Sequence, residues 1–369
     1  MTICHVINRL SSGGASTVVR NIVQKDNSND HVICCLENII EISRDDVTVP
    51  VIELHERHKF DPRTLSRLKS VLDKSEINTV HLHLPYAQIL GRLAAQATDI
   101  KYIVSTQHNI PKSHHPITRY LEIFTRPFDD MTVAVSDGVQ SANEDLQTYR
   151  LIRDNVTWST IYNGINVSDF HHRVTSADPS KTQIQHNSDD GLSFLCVSRY
   201  VPQKAHTTLI LAMDLVTDRI PDAELFLVGR GPLESELRQT VRNQGLSDCV
   251  TVTGYVSQER LYDYYSGADA FVLSSIKEGF GIVLIEAMAA ELPVIATDIP
   301  GVNEVVVDNK TGTLVPTNNP NALADAMCSL RNSDLRNKYA EQGYHRAQER
   351  FTVEHSVQEY QRLYESLMD

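Results

Sequence analysis

The sequence lacks several features that would each have assigned it to a class of protein. No run of about 18 apolar residues occurs, so the sequence predicts no membrane-spanning helix. None of the six cysteines forms a C-x-x-C or C-x-x-H spacing, which predicts reduced, buried thiols rather than disulfides or structural zinc. No D-x-D motif occurs, so a metal-bridged nucleotide site of that kind is not supported. The opening MTICHVINRL has neither a basic lead nor a cleavage site, so we expect a cytoplasmic protein.

Positive charge is also scarce. The formal net charge is −13, and the excess of acid lies mainly in the second half of the chain. Residues 1–175 carry 18 basic against 20 acidic side chains, whereas the remainder carries 16 against 27. This balance argues against nucleic acid as a partner, because a protein surface that binds nucleic acid is normally basic. If the protein binds a phosphate group, a few individually positioned lysine or arginine side chains must bind it.

Short apolar runs alternate with amphipathic helical stretches along the whole chain. In the first half, strand candidates lie at 3–7, 31–36, 79–83, 101–106, 131–136 and 159–162. In the second half they lie at 194–198, 224–229, 250–253, 270–273, 294–297 and 312–315. This rhythm predicts two α/β domains, each with a parallel sheet covered by helices on both faces.

The domain boundaries are predicted from where this rhythm stops. Residues 1–175 form the first predicted domain, and the polar, aperiodic segment 176–191 is typical of a linker. Residues 192–349 form the second predicted domain, and 350–369 form a final amphipathic helix. That helix carries Val357, Tyr360, Leu363, Tyr364 and Leu367 at helical spacing, a stripe that needs a surface to cover it.

Polar and glycine-rich segments follow several of the predicted strands, where parallel sheets bind their ligands. Gly13 and Gly14 precede a helix after the first strand, a pattern that by itself also occurs as plain turn geometry. Arg199 and Lys204, in SRYVPQK, follow the first strand of the second half. Two cations there suit a diphosphate, although a solvated surface pair has the same pattern.

The stretch EGFGIVLIE places Glu278 beside a Gly-Phe-Gly turn and Glu286 inside an apolar helix. The two carboxylates fit the acid and nucleophile of a glycoside hydrolase. They equally fit two hydrogen-bond acceptors for a ligand rich in hydroxyl groups, with Gly279 and Gly281 letting a phosphate approach the start of the helix. The stretch alone leaves both interpretations open.

Histidines mark the ends of two strands in the first half. His81, His83 and His108 favour a polar, sugar-binding wall, while zinc is disfavoured because no ligand pair has the usual spacing. The segment KSHHPITR that follows is either an acceptor-side loop or a solvated loop.

The motifs taken together resemble the retaining glycosyltransferases of family 4, also called group 1. The specific part is EGFGIVLIEAMAAELPVIATDIPGVNEVVVDNKTGTLVP, with Glu278 and Glu286 at E-x7-E spacing. The Gly-Gly loop, TQHN, AVSDG, IYNGIN, SRYVPQK and VGRGP accompany it in the family's order. Asn166 and Arg230 depart from the acids common at their positions.

This resemblance implies the GT-B architecture: two Rossmann-like domains facing each other across a cleft, with the C-terminal helix crossing back to the N-terminal domain. The implied catalytic residues are Arg199, Lys204, Glu278 and His108, and the implied acceptor side comprises His83, Asn109 and His114. The implied donor-binding residues are Gly13, Gly14, Gly229, Tyr255, Val256, Gly279, Phe280, Gly281, Ile282 and Glu286.

The resemblance also implies the reaction. A hexosyl or N-acetylhexosaminyl group would pass with retention from a nucleotide diphosphate sugar, with UDP-sugars favoured over GDP-mannose, to a hydroxyl of a glycan or lipid-linked acceptor. No metal or other cofactor is expected. An epimerase, a phosphorylase and a binding subunit without catalysis remain alternatives. The basic amphipathic stretch 55–74 predicts either a helix packed on its own sheet or a peripheral contact with the inner face of the membrane.

Overall fold

The structure is a computed structural model that describes residues 1–11, 13–37, 47–55, 61–74, 76–111, 115–145, 156–184 and 191–368. The chain divides into two compact units. The first unit comprises Met1–Gly164 with Val353–Asp369, and the second comprises Ile165–Thr352.

The first unit is built on a parallel sheet of seven strands among its described residues. The strands are β1 Thr2–Ile7, β2 Asp30–Cys35, β3 Val51–Glu53, β4 Thr79–His83, β5 Tyr102–Gln107, β6 Met131–Ala134 and β7 Trp158–Thr160. They lie in the order β3-β2-β1-β4-β5-β6-β7. The accompanying helices are α1 Gly14–Lys25, α2 Pro62–Lys74, α3 Pro85–Ala95, α4 Pro116–Thr125 and α5 Asp137–Glu144. The parallel sheet predicted for this half is confirmed, with β3 as an additional edge strand.

The second unit contains a six-stranded parallel sheet. Its strands are β8 Ser193–Val197, β9 Glu224–Val228, β10 Val250–Gly254, β11 Ala270–Leu273, β12 Val294–Thr297 and β13 Gly312–Val315. The order is β10-β9-β8-β11-β12-β13. Its helices are α6 Val167–Thr175, α7 His206–Thr217, α8 Glu234–Asn243, α9 Gln258–Gly267, α10 Ile282–Ala289, α11 Val302–Val305, α12 Pro320–Ser329 and α13 Ser333–Arg350. All six predicted strands are present.

The last helix, α14 Val353–Ser366, belongs to the first unit. Its side chains Tyr360, Leu363 and Tyr364 are buried in one cluster with Ile3 of β1 and Val18 of α1. The apolar stripe predicted for this helix therefore covers the sheet of the N-terminal unit, as the resemblance implied.

The domain boundary predicted at residue 175 is displaced in the structure. Helix α6 lies in the second unit because Phe170 packs edge-on against the rings of Tyr262 and Tyr265, each 5.3 Å away. Within the predicted linker, the Asp178 N–H donates to the Asp263 carboxylate of α9 at 3.0 Å. Residues 185–190 lie outside the described residues. The polar composition of this segment is typical of a linker, although a few specific contacts hold the segment against the second unit.

Helix α2 packs on its own sheet, the first of the two alternatives for the stretch 55–74. Leu68 and Leu72 are buried in the core with strand residues such as Val80. Residues 56–60 of that stretch lie outside the described residues. Among the described helices, none combines the length and apolar character needed to cross a bilayer.

Candidate functional site

In each unit the sequence-predicted site residues gather where the strand order reverses. The reversal lies between β1 and β4 in the first sheet and between β8 and β11 in the second. Ligands of open parallel sheets bind beyond the carboxyl ends of the strands at such points. Gly13 and His108 follow strands of the first sheet, and Arg199 and Glu278 follow β8 and β11 of the second.

The loop after β8 is fixed by the segment after β11. The Ser274 hydroxyl donates to the Lys204 carbonyl at 2.9 Å and is 3.2 Å from the carbonyl oxygen of Ala205. The Ile276 N–H donates to the Gln203 carbonyl at 2.8 Å. Since these contacts use the backbone, the loop keeps its position whatever side chain stands at residue 204.

Lys204 and Glu278 form the centre of the site in the second unit. The lysine Nζ donates to the Glu278 Oε1, which also accepts from the Ser275 hydroxyl at 2.8 Å. The exposed fractions of the two side chains are only 12% and 9%, so both charges are largely withdrawn from water and depend on each other. A carboxylate oxygen held by two donors in this way is not free to attack a sugar, which disfavours the hydrolase alternative.

Arg199 is exposed and has no ion-pair partner among the residues that the structure describes. It follows β8 directly, whereas Lys204 lies at the end of the same loop. The site thus offers one compensated and one uncompensated cation, a combination suited to an anionic ligand.

The segment from Gly279 to Ile282 brings backbone close to this pair. Gly281 caps α10 in the left-handed region, with φ of 89°, which glycine adopts without strain. The first amides of α10 offer hydrogen bonds to an anion. Phe280 departs from its expected role because its side chain is buried and lies edge-on to Phe351 at 5.6 Å.

Glu286 lies one turn into α10 and remains partly exposed. Burial raises the pKa of its carboxyl group, while a hydrogen bond from Tyr265 at 3.0 Å acts in the opposite direction. That bond engages Oε2, and Oε1 has no donor among the described residues. The free oxygen is an acceptor suited to a hydroxyl group.

The turn after β9 is packed tightly against the loop after β8. A Cβ at Gly229 would lie 1.9 Å from the Ser198 carbonyl oxygen, and one at Gly231 would lie 2.4 Å from that of Tyr200. These glycines are therefore required by the protein itself. Packing against Ser198 thus explains glycine at position 229 without a ligand, and donor binding by Gly229 stays a prediction.

Arg230, a departure from the family pattern, has a clear partner. Its guanidinium lies 4.8 Å from the centre of the Tyr255 ring, whose residue is 63% exposed. Val256 beside it is partly exposed. The stacked pair forms a flat, polarisable surface of the kind on which a nucleobase packs. The other departure, Asn166, caps α6 by accepting from the Asp169 N–H at 3.1 Å.

In the first unit, the Gly13-Gly14 turn is open. Both residues are exposed, and Gly13 caps α1 with an ordinary φ of −83°. A Cβ at Gly13 would meet only the Ser11 hydroxyl, at an unstrained 3.6 Å. The backbone conformation at Gly13 thus does not require glycine, and its role in donor binding stays a prediction.

The histidines of the first unit lie deeper than the sequence suggested. His83 is fully buried, and its ring nitrogens face His5 and His108, each at 3.2 Å. This burial disfavours the acceptor-side role that was expected for it. His81 is buried between the Tyr364 hydroxyl and the Thr106 hydroxyl. His108 and Asn109 are partly exposed, and His114 lies outside the described residues.

Three of these histidines are close enough to hold a metal ion. One nitrogen from each of His5, His81 and His83 lies within 4.8 Å of the others. Burial lowers the pKa of all three rings well below the ordinary value, so their lone pairs are available. However, all six of their nitrogens already have hydrogen-bond partners, which accounts for the cluster without a metal.

Several residues of the site were missed from the sequence. Ser275 and Tyr265 each hold a predicted carboxylate, and His5, His31 and Asp26 extend the histidine cluster. The one available signal in the sequence was His5 in the strand segment CHVI, because alternate residues of a strand share one face of the sheet.

Known proteins with similar sequences give the same picture. The family described as Glycosyltransferase Family 4 matches residues 12–169, and the family described as Glycosyl transferases group 1 matches residues 178–346. The phosphatidyl-myo-inositol mannosyltransferase of Mycobacterium leprae is 31% identical over 293 residues, covering 78% of this chain and 73% of that protein. The putative glycosyltransferase EpsD of Bacillus subtilis is 28% identical over 326 residues, covering 85% and 84%.

Among solved structures, HepE of Anabaena in complex with UDP and glucose superposes with a TM-score of 0.83. It covers 99% of each chain at 19% identity, which supports the fold. The sucrose-phosphate synthase of Thermosynechococcus elongatus gives a TM-score of 0.80 at 23% identity, covering 100% of this chain and 99% of that one. The two family matches, together with the relative that is 31% identical, show that this chain belongs to the glycosyltransferases of family 4 and has the GT-B fold.

Proposed function

We propose that this glycosyltransferase transfers a hexosyl or N-acetylhexosaminyl group, with retention, from a nucleotide diphosphate sugar to a hydroxyl of a glycan or lipid-linked acceptor. Its place would be in the synthesis of cell-surface polysaccharides or glycoconjugates. The observation that carries the proposal is the Lys204–Glu278 pair beside Arg199 at the β8/β11 reversal. No metal is required in this proposal, because two cations and the α10 amides supply positive charge to the diphosphate.

The proposed mechanism follows from where charge develops. As the bond from the sugar to the diphosphate breaks, negative charge grows on the departing phosphate. Lys204, Arg199 and the first amides of α10 stabilise that charge. The acceptor hydroxyl attacks from the side of the departing phosphate, whose oxygen takes the hydroxyl proton. Glu278 holds Lys204 in place and accepts hydrogen bonds from sugar hydroxyls.

The rest of the donor is proposed to bind along the same edge of the second sheet. Glu286 Oε1 accepts from a ribose hydroxyl, and the Arg230–Tyr255 pair carries the base. HepE is solved with UDP, and mannosyltransferases that use GDP-mannose are also similar in sequence to this chain. We favour a UDP-sugar and place GDP-mannose second.

Donor binding can be measured by thermal unfolding. At a concentration about 100 times its Kd, the correct donor is expected to stabilise the protein by about 2.7 kcal/mol, or roughly 5–10 °C in Tm. Glu286→Gln should weaken binding roughly tenfold, because a charge-assisted hydrogen bond to the ribose is lost.

Glu291→Gln is the matched control for this measurement, since Glu291 is an exposed acid just beyond α10. It should bind the donor as the unaltered protein does. Stabilisation by neither UDP- nor GDP-sugars would count against the proposal, as would equal binding by the Glu286→Gln protein.

A peripheral membrane contact is proposed through α4 rather than α2. Its outward face exposes Ile117, Tyr120, Leu121 and Phe124, of which Phe124 is 74% exposed. Leu93 and Phe128 extend this apolar surface. The one acid of the helix, Glu122, turns inward to Arg92 and Arg126, so no carboxylate of α4 faces outward. Such a face favours the interface of an anionic bilayer.

Co-sedimentation with vesicles containing phosphatidylglycerol tests this contact. Phe124→Glu should lower the bound fraction about tenfold or more, because it removes buried apolar area and adds a repelled charge. Met368→Glu is the control, since Met368 is 57% exposed but lies beyond α14. Equal binding by both variants would exclude α4 as the contact.

A further inference from the structure

A row of four histidines runs through the first unit from a buried carboxylate to His108. The Asp26 Oδ2 lies 3.0 Å from His31 Nε2, and His31 Nδ1 lies 3.0 Å from His5 Nε2. His5 Nδ1 lies 3.2 Å from His83 Nε2, and His83 Nδ1 lies 3.2 Å from His108 Nε2. These five residues are called the histidine row below.

In all four rings of the histidine row, the same nitrogen faces the Asp26 end. Each imidazole faces the Asp26 end with Nε2, and the first three pass the contact on with Nδ1. Each link holds one hydrogen, so one nitrogen donates and the other accepts. A neutral imidazole has one donor and one acceptor, and fixing either nitrogen therefore fixes the next ring. The tautomers of the four rings are coupled.

Asp26 sets the direction of the row. Burial opposes its ionisation, but hydrogen bonds from His31, Gln361, Asn29 and the Ser28 N–H outweigh burial and lower its pKa far below the ordinary value. As a carboxylate it only accepts, so His31 must donate from Nε2. With neutral rings, every Nε2 in the row then carries the hydrogen, and Nδ1 of His108 carries none.

The opposite direction requires an additional proton. His31 must donate to Asp26 in either case, so reversal of the other links would make His31 an imidazolium beside the buried ring of His5. The charge of Asp26 is already compensated by three further donors, each at 2.9 Å, and needs no cation. Burying an imidazolium there has a cost in solvation with little gain. The neutral direction is favoured.

We propose that Asp26 acts through the histidine row to hold His108 with Nδ1 unprotonated, as a hydrogen-bond acceptor for a hydroxyl of the transferred sugar. This inference rests on the proposed function and on the role that the family resemblance implies for His108, which we take to be contact with the transferred sugar. Asp26, His31, His5 and His83 are positioning residues, and only His108 touches the substrate.

The consequence is selectivity for the direction of one hydrogen bond, in which His108 can only accept. A free neutral imidazole exchanges its tautomers and presents either a donor or an acceptor, whereas the coupled row presents only an acceptor. Burial of the ring lowers the pKa of His108 to about 3, although the residue keeps some exposure, so protonation does not remove this acceptor at neutral pH. A sugar hydroxyl must donate to it, which orients that hydroxyl before transfer.

Nitrogen-15 NMR of the full chain with labelled histidine tests the proposal, because protonated and bare ring nitrogens have well-separated shifts. The signal of His108 is assigned as the one missing in His108→Gln. We expect Nδ1 of His108 to be bare and Nε2 protonated. The spectrum needs no substrate, so it stands even if no nucleotide sugar proves to be a donor.

Asp26→Asn is expected to reverse the direction of the hydrogen bonds along the histidine row. The asparagine Oδ1 retains the bonds from Ser28 and Gln361, whereas its amide loses the bond from Asn29 and then donates to His31 Nε2. Nδ1 of His108 should become protonated, and kcat/KM for the donor should fall roughly tenfold through the loss of one hydrogen bond. Gln361→Leu is the matched control, because it removes one donor to Asp26 but keeps the carboxylate. It should leave both the tautomer and kcat/KM unchanged.

The proposal is overturned by a protonated Nδ1 of His108 in the unaltered protein, a result that does not depend on any variant folding. It is also overturned if Asp26→Asn lowers kcat/KM while the tautomer of His108 stays the same. Addition of zinc would overturn it as well if the signals of His5 and His83 shift, because these rings would then bind a metal ion instead of each other. Should Asp26→Asn not fold, His31→Phe interrupts the row instead and should give His108 a mixture of tautomers.

Discussion

Replacing Lys204 by methionine is expected to lower kcat for glycosyl transfer by roughly two to three orders of magnitude. The donor KM should change much less, because the full negative charge on the departing phosphate exists only in the transition state. Methionine has a similar length and removes the charge. Initial rates at varied donor concentration separate the two parameters.

The loss would reflect charge and not a displaced loop. The contacts of Ser274 and Ile276 with this loop go to backbone carbonyls, which the substitution leaves unchanged. The substitution does leave Glu278 without its cation in a poorly exposed position. The double variant Lys204→Met with Glu278→Gln removes that unpaired charge. It should recover stability but not kcat.

Lys277→Met provides the matched control, since Lys277 is the next lysine along the segment after β11 and is partly exposed. Its kcat should stay within about twofold of the unaltered enzyme, because Glu278 pairs with Lys204 and Lys277 has no ion-pair partner among the described residues. An unchanged kcat in Lys204→Met would remove Lys204 from the mechanism.

The second unit was largely predictable from the sequence because its signals are local. Each strand is a short apolar run, and Arg199, Lys204 and Glu278 each stand shortly after one. Parallel strands bring their carboxyl ends to one edge, so residues far apart in sequence meet without any further information. The Lys204–Glu278 pair is the result, although the sequence did not indicate that the two side chains would bind each other.

The histidine row could not be predicted in the same way. It depends on the register of β1 with β2 and β4, which brings His5 to His31 and His83, and on the position of Asp26 after α1. It also depends on α14, which brings Gln361 to Asp26 over a separation of 335 residues. Periodicity shows which face a residue occupies but not which distant side chain meets it.

The buried ion network behind α4 illustrates the same limit. Arg92, inside an apolar helix, donates to Asp129 and Glu122, and Arg126 donates to the same glutamate. All four side chains are almost completely buried. In the sequence these residues have the appearance of surface charges, and only their partners make burial possible.

Acid is expected to unfold the first unit well above the pH at which carboxylates titrate. Burial, as the largest cause, lowers the pKa of His5, His81 and His83 well below the ordinary value of about 6.5. Below that pH the unfolded chain binds protons that the folded chain does not, so the free energy of unfolding falls as pH falls. Each histidine contributes about 1.4 kcal/mol per pH unit, or roughly 4 kcal/mol for the three.

Trp158, the single tryptophan, lies in β7 and reports the unfolding of this unit in particular. Urea unfolding followed by its fluorescence should lose stability steeply between about pH 6.5 and pH 5. Burial acts to raise the pKa of the Glu122 carboxyl, but Arg126 and Arg92 outweigh burial and lower this pKa to about 2. The stability that Glu122 contributes to the protein is therefore lost only below about pH 4.5. The two effects therefore separate on the pH axis.

His81→Gln checks the assignment to the histidines. Glutamine keeps a donor and an acceptor for the hydroxyls of Tyr364 and Thr106 but does not titrate. The slope of unfolding free energy against pH should fall by about 1.4 kcal/mol per pH unit in this variant, whatever the variant's stability at neutral pH. A slope equal to that of the unaltered protein would mean that His81 is not forced to stay neutral by the fold. The acid sensitivity would then have to arise from groups other than His81, because a buried ring that accepts a proton in the folded state adds nothing to the difference between the two states.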